Sequence, residues 1–530
     1  MSHAEAGAEA GAGAGAGPGV AAWFEGRSLL VTGGAGFMGK VLLEKMLRAL
    51  PGLRRVYVLL RAKRGLAPAR RLHDMLQLPV FSRVRSECPA ALGKLVVVEG
   101  DLLLPGLGLA PAERALLERE VSVVVHAAAS LRLESPLGPA LRHNVLGTQR
   151  VLELAAGFAR LEAFVHLSTA FCHPTQAVLE ERCYPPPAPP HDLLRLAHWL
   201  DDDALNSLAP RLLGAHPNCY TFTKQLAESL VNDARSRMPV IIVRPSIVLP
   251  ALEEPVAGWV DTLNGPMGLV AGAGKGVIRS MLVGRHFLVE VVPVDIAANA
   301  IICAAWDGAL RGKEEAETPV YNLTSGDMVH MTWGEVLEVG RKLVYEEPFE
   351  GVVWYPDGDI RDSRLAHELI VFFFHTLPAY FIDLLLLLAL QKTFMVRLQR
   401  RVRVGLELLQ YFTTRQWRFA TARARSLEAR LGPRERRLLR LSVRDLDVEA
   451  ALRAMLLGTR QFCFKEPLSS LPRARRHIKM LYVIHQLTKL LFWGALVYVP
   501  LMYITIFRTT LDAVCTQVFG NIPFPIVPIK

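Results

Sequence analysis

No two of the seven cysteines stand at the short spacing of a zinc site or a dithiol redox motif, so they read as reduced and mostly structural. The N-terminus lacks a basic patch running into an apolar core, which excludes a secretory signal. Instead, residues 1–22 are Gly/Ala-rich and cannot bury enough apolar surface to offset the entropy of ordering, so a disordered tail is expected, with folding beginning near Trp23. No nucleic-acid reading module accompanies the basic charge of +11. That charge, with a pI near 9.4, favours anionic partners such as phosphorylated cofactors, an anionic membrane surface or nucleic acid, and does not choose among them.

What is abundant is apolar surface. Hydrophobic residues make up 51% of the chain and the mean hydropathy is +0.26, high for a soluble enzyme, so some segments are expected to face lipid or a greasy ligand. At 530 residues the chain exceeds the span of one core, implying a large catalytic domain and at least one further unit.

From Ser28 onward, short apolar runs at 28–32, 56–60, 95–98, 121–125, 164–167 and 240–243 alternate with amphipathic stretches such as 40–50 and 141–158. This order predicts an α/β fold, a doubly wound Rossmann-type parallel sheet. Past about Trp354 the texture turns to long Arg-rich helical patterns, as at 397–403 and 434–444, predicting a mainly helical second domain with solvated basic faces. Two apolar segments stand out there. The stretch 371–390 is interrupted by His375, Pro378 and Asp383, which favours a buried or membrane-skimming helix pair over a spanning helix. The stretch 490–507 has no charge, carries Trp493, Tyr498 and Tyr503, and is bounded by Lys489 and Arg508, the pattern of a transmembrane helix. Arg473, Arg475, Arg476 and Lys479 precede it, which places the large domain on the cytosolic side.

The chemistry begins at Thr32-Gly33-Gly34-Ala35-Gly36-Phe37-Met38-Gly39, a GxxGxxG loop between the first strand and the first helix. Glycine lets the backbone approach a pyrophosphate at a helix N-terminus, where the dipole favours negative charge. After the second strand an acidic residue would bind a ribose 2′-hydroxyl, yet the sequence there reads Leu60-Arg61-Ala62-Lys63-Arg64. Cations suit a 2′-phosphate, so NADPH is expected, with Arg61 first and Arg64 second as its ligands. Asp101, beside Leu102, stands where it could accept from the adenine amine or cap a turn. Ala127 and Ala128 end the fourth strand with small residues that admit the cofactor, and Asn144 in the next helix could anchor a water or that backbone. Pro245 and Ile247, just past a buried strand, are expected over the nicotinamide. His126 is given no role.

Tyr220-Thr221-Phe222-Thr223-Lys224 is a YxxxK pattern, with phenol and ammonium on one helix face. An adjacent ammonium would favour phenolate and make Tyr220 a useful acid-base group. The strand ending Leu167-Ser168-Thr169 supplies a hydroxyl to polarise a carbonyl; Thr169 is preferred and Ser168 is the alternate. No metal site is expected.

With these motifs in order, the chain resembles the extended short-chain dehydrogenases and, more closely, the fatty acyl-CoA reductases. Further phrases that look like that family are Gly39-Lys40-Val41-Leu42-Leu43-Glu44-Lys45, Tyr184-Pro185-Pro186-Pro187, Gly258-Trp259-Val260-Asp261, Val292-Pro293-Val294-Asp295 and Thr332-Trp333-Gly334-Glu335. The region from about 355 is similar to the family's C-terminal sterile domain, including Tyr411-Phe412-Thr413. The implied order is a tail (1–22), an NADP-binding reductase domain (23–354), a helical sterile-type domain (355–480), a membrane helix (490–507) and a tail (508–530). The resemblance implies reduction of long-chain acyl-CoA to a primary alcohol with two NADPH, for wax or ether-lipid synthesis. It also implies a peroxisomal membrane enzyme, with the endoplasmic reticulum as the other organelle, and leaves a homo-oligomer open. The apolar stretch around 371–390 is then expected to line a dry tunnel for the aldehyde.

This sequence departs from the family in places. Gly34 and Ala35 stand where Ala-Thr is usual, Met38 replaces a branched aliphatic, and Val448 and Ala451 stand where a Trp and Tyr are common. Two other readings remain, a membrane-anchored sterol-type dehydrogenase and a catalytically silent NADP-binding scaffold.

Overall fold

The computed structural model describes residues 18–311, 315 and 317–519; most of the expected Gly/Ala tail and the last residues of the chain lie outside these. Of the expected tail, 1–22, the structure describes residues 18–22. A turn of helix at Val20–Trp23 buries Val20 and Trp23, and Pro18 O accepts a hydrogen bond from Trp306 Nε1 at 2.8 Å.

Seven apolar runs form one parallel sheet: β1 (Ser28–Thr32), β2 (Arg55–Leu60), β3 (Leu95–Glu99), β4 (Val121–His126), β5 (Ala163–Leu167), β6 (Val240–Pro245) and β7 (Val320–Leu323). Their order is β7-β6-β5-β4-β1-β2-β3. Direction reverses between β1 and β4, and the carboxyl ends at such a switch open a crevice for ligands. In register, Val31 faces Val58 on one side and Val125 on the other. Six of the seven strands match the expected runs. The seventh is masked in the sequence by Asn322, whose side-chain amide is spent on Leu179 O and Ala420 O at 3.0 and 2.8 Å.

Helix α1 (Phe37–Ala49) is buried around most of its circumference, so its ionic residues carry partners inward. Lys40 meets Asp261 at 2.5 Å, Arg48 meets Glu44 and Glu254 at 2.8 Å each, and Lys45 pairs with Glu254. A second helix, α2 (Cys219–Asp233), packs near β6, and the almost wholly buried α3 (Val294–Arg311) lies against α1, β5 and β6.

The region after residue 355 is mainly helical and seats directly on the sheet. Leu179 bridges Phe419, and Glu181 accepts the backbone N–H of Ala424 at 2.9 Å. Gly258 and Gly458 pack so closely that a Cβ on Gly258 would lie 2.0 Å from Ala454 O.

The expected helix pair at 371–390 exists, but its buried alternative does not hold. A helix over Arg364–Val371 passes through a π-turn at Phe372–Thr376 into α4 (Leu377–Leu388), which folds back into α5 (Met395–Thr413). Phe381 is 60% exposed and Leu388 72%. Nor does this segment line a tunnel, because its leucines point outward. The interruptions have structural uses: His375 Nε2 accepts from Arg279 N–H at 2.9 Å, and Asp383 accepts the N–H groups of Phe394, Met395 and Val396 at 2.9–3.0 Å, capping α5.

The final helix, α6 (Leu471–Phe519), contains the expected 490–507 span and continues beyond Arg508, so the tail expected there is helical as far as it is described. Two helical stretches, Arg364–Leu388 and Leu468–Val514, with hydropathies of 1.9 and 2.0, are long and apolar enough to cross a membrane.

Candidate active site

The glycine loop follows β1 and its conformation is enforced. Gly33 has φ +76°, and a Cβ there would meet the Ala127 carbonyl carbon and Ala128 N at 2.7 Å. A Cβ on Gly39 would lie 2.3 Å from Gly33 O. Gly36 donates its N–H to Gly33 O at 2.9 Å and forms the N-cap of α1, where no side chain caps the helix and no acidic residue sits in the first turn. The amides of this N-terminus are therefore open to an anion, and the loop fits a pyrophosphate. Gly34 packs on Val58, Phe37 stacks on Trp259 with centroids 5.5 Å apart, and Met38 packs against the core.

Beside it, Thr32 Oγ1 bonds His126 Nδ1 at 2.7 Å and accepts Ala128 N–H at 3.3 Å, which ties the ends of β1 and β4 together. His126 also reaches Thr148 Oγ1 at 3.0 Å, and burial holds its pKa down at about 3, so it is a neutral structural histidine. Asn144 anchors backbone as expected: its Oδ1 accepts Ser130 N–H at 2.8 Å and its Nδ2 donates to Ser130 O at 3.2 Å and to Thr223 Oγ1 at 3.0 Å.

At the end of β2, Arg61 is half exposed, with Nη1 3.5 Å from Asp101 Oδ2. Asp101 Oδ1 caps its own turn by accepting Leu103 N–H at 3.0 Å, so of its two expected uses the turn is the one built into the fold. Leu102 O accepts from Arg150 at 2.8 Å, and its side chain packs on Gly147. Arg64 sits at the tip of a tight turn with φ +54°. Two further cations stand here: Lys63, part of the cationic run at 60–64 but not among its expected ligands, and Arg71, which was missed. Lys63 is pushed below its ordinary pKa by burial and by Arg71, Arg61, Arg64 and Arg132, which marks a concentration of positive charge around the β2 end. Arg71 Nη1 donates to Arg61 O at 2.6 Å and so braces the turn. Its position on the following helix is the sequence signal that could have found it.

At the end of β5 the catalytic candidates converge. Asn218 caps α2 by accepting Thr221 N–H at 3.0 Å, which places Tyr220 in the first turn and Lys224 one turn later. The Thr169 hydroxyl lies close enough to the Tyr220 phenol to lower its pKa, whereas Ser168 Oγ faces Cys172 Sγ at 3.7 Å. Thr169 is thus the hydroxyl brought to the phenol, and Ser168 is not. Burial and the neighbouring Cys172 raise the Tyr220 phenol above its ordinary value, while the nearby Thr169 hydroxyl lowers it in part. The expected ammonium-phenolate pairing does not appear. Lys224 instead donates to Leu167 O at 2.5 Å, and burial lowers its pKa to about 8. A buried amine has to satisfy its donors locally, and the strand-end carbonyl is the group within reach.

Two buried ionic residues frame the site: Glu228, which the sequence did not flag, and Arg244, which heads the 244–248 stretch expected over the nicotinamide through its backbone. Glu228 lies one turn past Lys224 on the same face, the i+4 position that could have flagged it. It accepts from Arg244 Nε and Nη2 at 2.8 and 2.7 Å, contacts His173 Nε2 at 2.9 Å and accepts from Cys172 Sγ at 3.3 Å. Burial raises the Glu228 carboxyl, but Arg244 and His173 outweigh it and hold the group well below its ordinary value. Arg244, fully buried, also donates to Glu180 O and Arg182 O at 3.1 and 3.0 Å. Cys172, His173 and Glu228 have metal-ligand chemistry and converge within 4.8 Å, but Arg244 occupies both carboxylate oxygens. The knot clamps α2 to β6 and to the 169–184 loop behind Thr169. Just past Arg244, Pro245 O accepts Ala170 N–H at 3.0 Å, and Ile247 opens a short strand paired with Val291–Pro293.

Residues 31–301 match the NAD-binding model described as male sterility protein, and residues 374–466 match the Sterile model of the same description. The chain is 34% identical over 472 residues to fatty acyl-CoA reductase wat of Drosophila melanogaster, covering 89% of this chain and 91% of that one. It is 33% identical over 478 residues to fatty acyl-CoA reductase 1 of Homo sapiens, covering 89% and 92%. Among solved structures, the terminal R domain of the myxalamid biosynthetic pathway superposes with a TM-score of 0.55 at 20% identity, covering 84% of this chain and 93% of that one. The R domain of a non-ribosomal peptide synthetase from Mycobacterium tuberculosis gives 0.54 at 18%, covering 84% and 92%. These two show the fold.

Proposed function

The chain belongs to the fatty acyl-CoA reductase family, and on that premise we propose that it reduces long-chain acyl-CoA to a primary alcohol and free CoA with two equivalents of NADPH. It is an oxidoreductase with a nicotinamide-binding fold, acting on an acyl-CoA. The observation that carries the finer reading is the convergence of Thr169, Tyr220 and Lys224 at the end of β5, at the same edge of the sheet as the glycine loop and two strands from it.

The nicotinamide cofactor supplies hydride when bound. Gly33, Gly36 and Gly39 would hold its pyrophosphate against the α1 N-terminus, and Arg61, with Arg64 and the neighbouring Arg71, would take the 2′-phosphate. Thr169 and Tyr220 donate hydrogen bonds to the thioester oxygen, where negative charge develops as the carbonyl is reduced. Tyr220, its phenol raised by burial, holds a proton for delivery to that oxygen. Collapse of the tetrahedral product returns the hydroxyl proton to Tyr220, breaks the C–S bond, releases CoA thiolate and leaves an aldehyde. A second reduction at the same hydroxyl pair gives the alcohol. Lys224 fixes α2 to the β5 end through Leu167 O, which keeps the phenol in place. The span 490–507 in α6 would anchor the enzyme in the peroxisomal membrane, the catalytic body facing the cytosol, where its product would feed ether-lipid or wax synthesis.

The test is full-length protein in detergent with stearoyl-CoA and NADPH, beside Tyr220→Phe. Fatty alcohol from the parent and a loss of about 10²–10⁴-fold in the variant are expected for removal of a proton donor. No alcohol from the parent, or equal alcohol from both, overturns the reading.

A further inference from the structure

Two apolar elements leave the protein body at one place. On α6, His485 Nδ1 accepts from Trp354 Nε1 at 3.1 Å, and His485 Nε2 and Lys489 Nζ lie 3.0 and 3.8 Å from Asp357. Asp357 also takes Arg279 Nη2 at 2.6 Å. The Arg279 guanidinium stands over the rings of Trp354 and Phe374, at 5.8 and 5.4 Å, while its backbone N–H is held by His375. Arg279 and Asp357 thus tie the last charged turn of α6 before Leu490 to the base of the 372–390 segment.

Beyond that tie both elements are greasy and uncovered. On α6 the residues from Leu490 to Phe507 carry no charge and are exposed. On α4, Leu377, Tyr380, Phe381, Leu384, Leu385 and Leu388 are all exposed, and only Ala379 is buried. The whole stretch Arg364–Leu388 is long enough to cross a membrane, but Val371 and His375 are buried against the body and His375 holds the Arg279 N–H, which leaves the 12 residues of α4 beyond that tie. At a rise of 1.5 Å per residue this free part is about 18 Å long, too short for a hydrocarbon core of about 30 Å. It suits insertion into one leaflet. Helix α5, which follows, exposes Arg397, Arg400 and Arg401 in its first two turns. Arg397 donates to Thr393 O and feels the Asp383 carboxylate, and among the described residues no carboxylate forms a salt bridge to any of the three. A basic row beside an exposed apolar hairpin complements an anionic lipid surface.

We propose that the 372–390 hairpin is a second membrane contact, embedded in the leaflet from which α6 leaves the body, with Arg397, Arg400 and Arg401 on anionic headgroups. The inference rests on the reading of 490–507 as the anchor. Two contacts hold the catalytic body at a fixed attitude to the bilayer, where one tether would let it swing. Helix α5 continues from the hairpin to Phe412, whose ring packs on Phe171 at 5.5 Å, two residues past Thr169. One helix therefore joins the embedded end to the catalytic end.

The test places an environment-sensitive fluorophore on full-length protein in phosphatidylcholine vesicles containing phosphatidylserine. Single introduced cysteines carry it: Leu384→Cys on the hairpin, Leu496→Cys on α6 and Trp199→Cys, whose parent tryptophan is 80% exposed on a helix of the reductase body. The expected result is several-fold weaker quenching by aqueous iodide at 384 and 496 than at 199, with strong quenching by lipid-borne nitroxide at 384 and 496 alone. Iodide quenching at 384 equal to that at 199, with 496 still in lipid, overturns the inference and leaves the anchor standing. Water exposure at 496 with 384 in lipid overturns the anchor, and with it the inference of a second contact, and leaves the hairpin as a contact on its own. Protection of 384 from both quenchers means that protein, such as a second copy, covers it, and also overturns the inference. With Arg397→Gln, Arg400→Gln and Arg401→Gln combined, iodide quenching at 384 should rise; no change would remove the headgroup contact.

Discussion

The carboxyl end of the sheet and the 372–390 hairpin break the ordinary rule of burial in opposite directions. Around Tyr220, ionic groups are taken out of water: Glu228, Arg244 and Lys224 are all buried, and each is spent on a named partner. On the hairpin, leucines and phenylalanines are left in solvent with no protein over them. Buried ions cost desolvation that only close pairing offsets, and exposed apolar surface costs hydration that only another apolar phase relieves. The first region is therefore held rigid from within, while the second gains its partner from outside. Stability measurements should separate them.

The largest effect is expected inside the ionic knot. Glu228→Gln leaves the Arg244 charge buried without a counterion and should destabilise the fold by about 3–5 kcal/mol, read by chemical denaturation in detergent. Removing both charges with Glu228→Gln and Arg244→Met should restore part of the loss. If the single variant is as stable as the parent, the knot is not what clamps α2 to β6.

Next comes Lys224. Burial lowers its folded pKa to about 8 from an ordinary value of 10.5, so the unfolded chain binds the extra proton between those values. The penalty for burying the ammonium is complete below about pH 8 and is relieved as pH rises towards 10.5, a contribution of about 3 kcal/mol. Lys224→Met should flatten that segment of the stability profile, and an unchanged profile would mean the amine is not desolvated.

Arg61 lies between the two extremes, half exposed and weakly paired. Arg61→Ala should raise KM for NADPH by roughly tenfold to a hundredfold, the cost of about 1.5–3 kcal/mol for a hydrogen bond to a charged group. KM for NADH should stay put, and an equal rise for both cofactors would take Arg61 out of the phosphate site.

The smallest effect should come from the hairpin. Leu385→Asp is expected to change stability in detergent by no more than about 0.5 kcal/mol, as for a surface position. A loss of several kcal/mol would show that Leu385 belongs to a core and would erase the contrast.

How much of this was legible in the sequence follows the range of each interaction. The glycine loop and the Tyr220/Lys224 pair depend on spacing within one turn or one helix, and both stand where the local pattern puts them. Strands β1 to β6 announce themselves as apolar runs, whereas β7 is four residues long and interrupted by Asn322. The Glu228–Arg244 pair joins a helix to a strand, and His173 enters from a third segment, so no local pattern carries it. The partner of Lys224 was misread because spacing gives a shared face but not the carbonyl that waits across it. Hydropathy likewise gave the hairpin its apolar character and could not say which phase it faces, because a core and a bilayer select the same side chains.

The central claim is two reductions at one hydroxyl pair, and its most direct measurement is the stoichiometry of a single assay. Full-length protein with stearoyl-CoA should consume two NADPH for each CoA thiol released and each alcohol formed. One NADPH per thiol, with aldehyde as the final product, would contradict it.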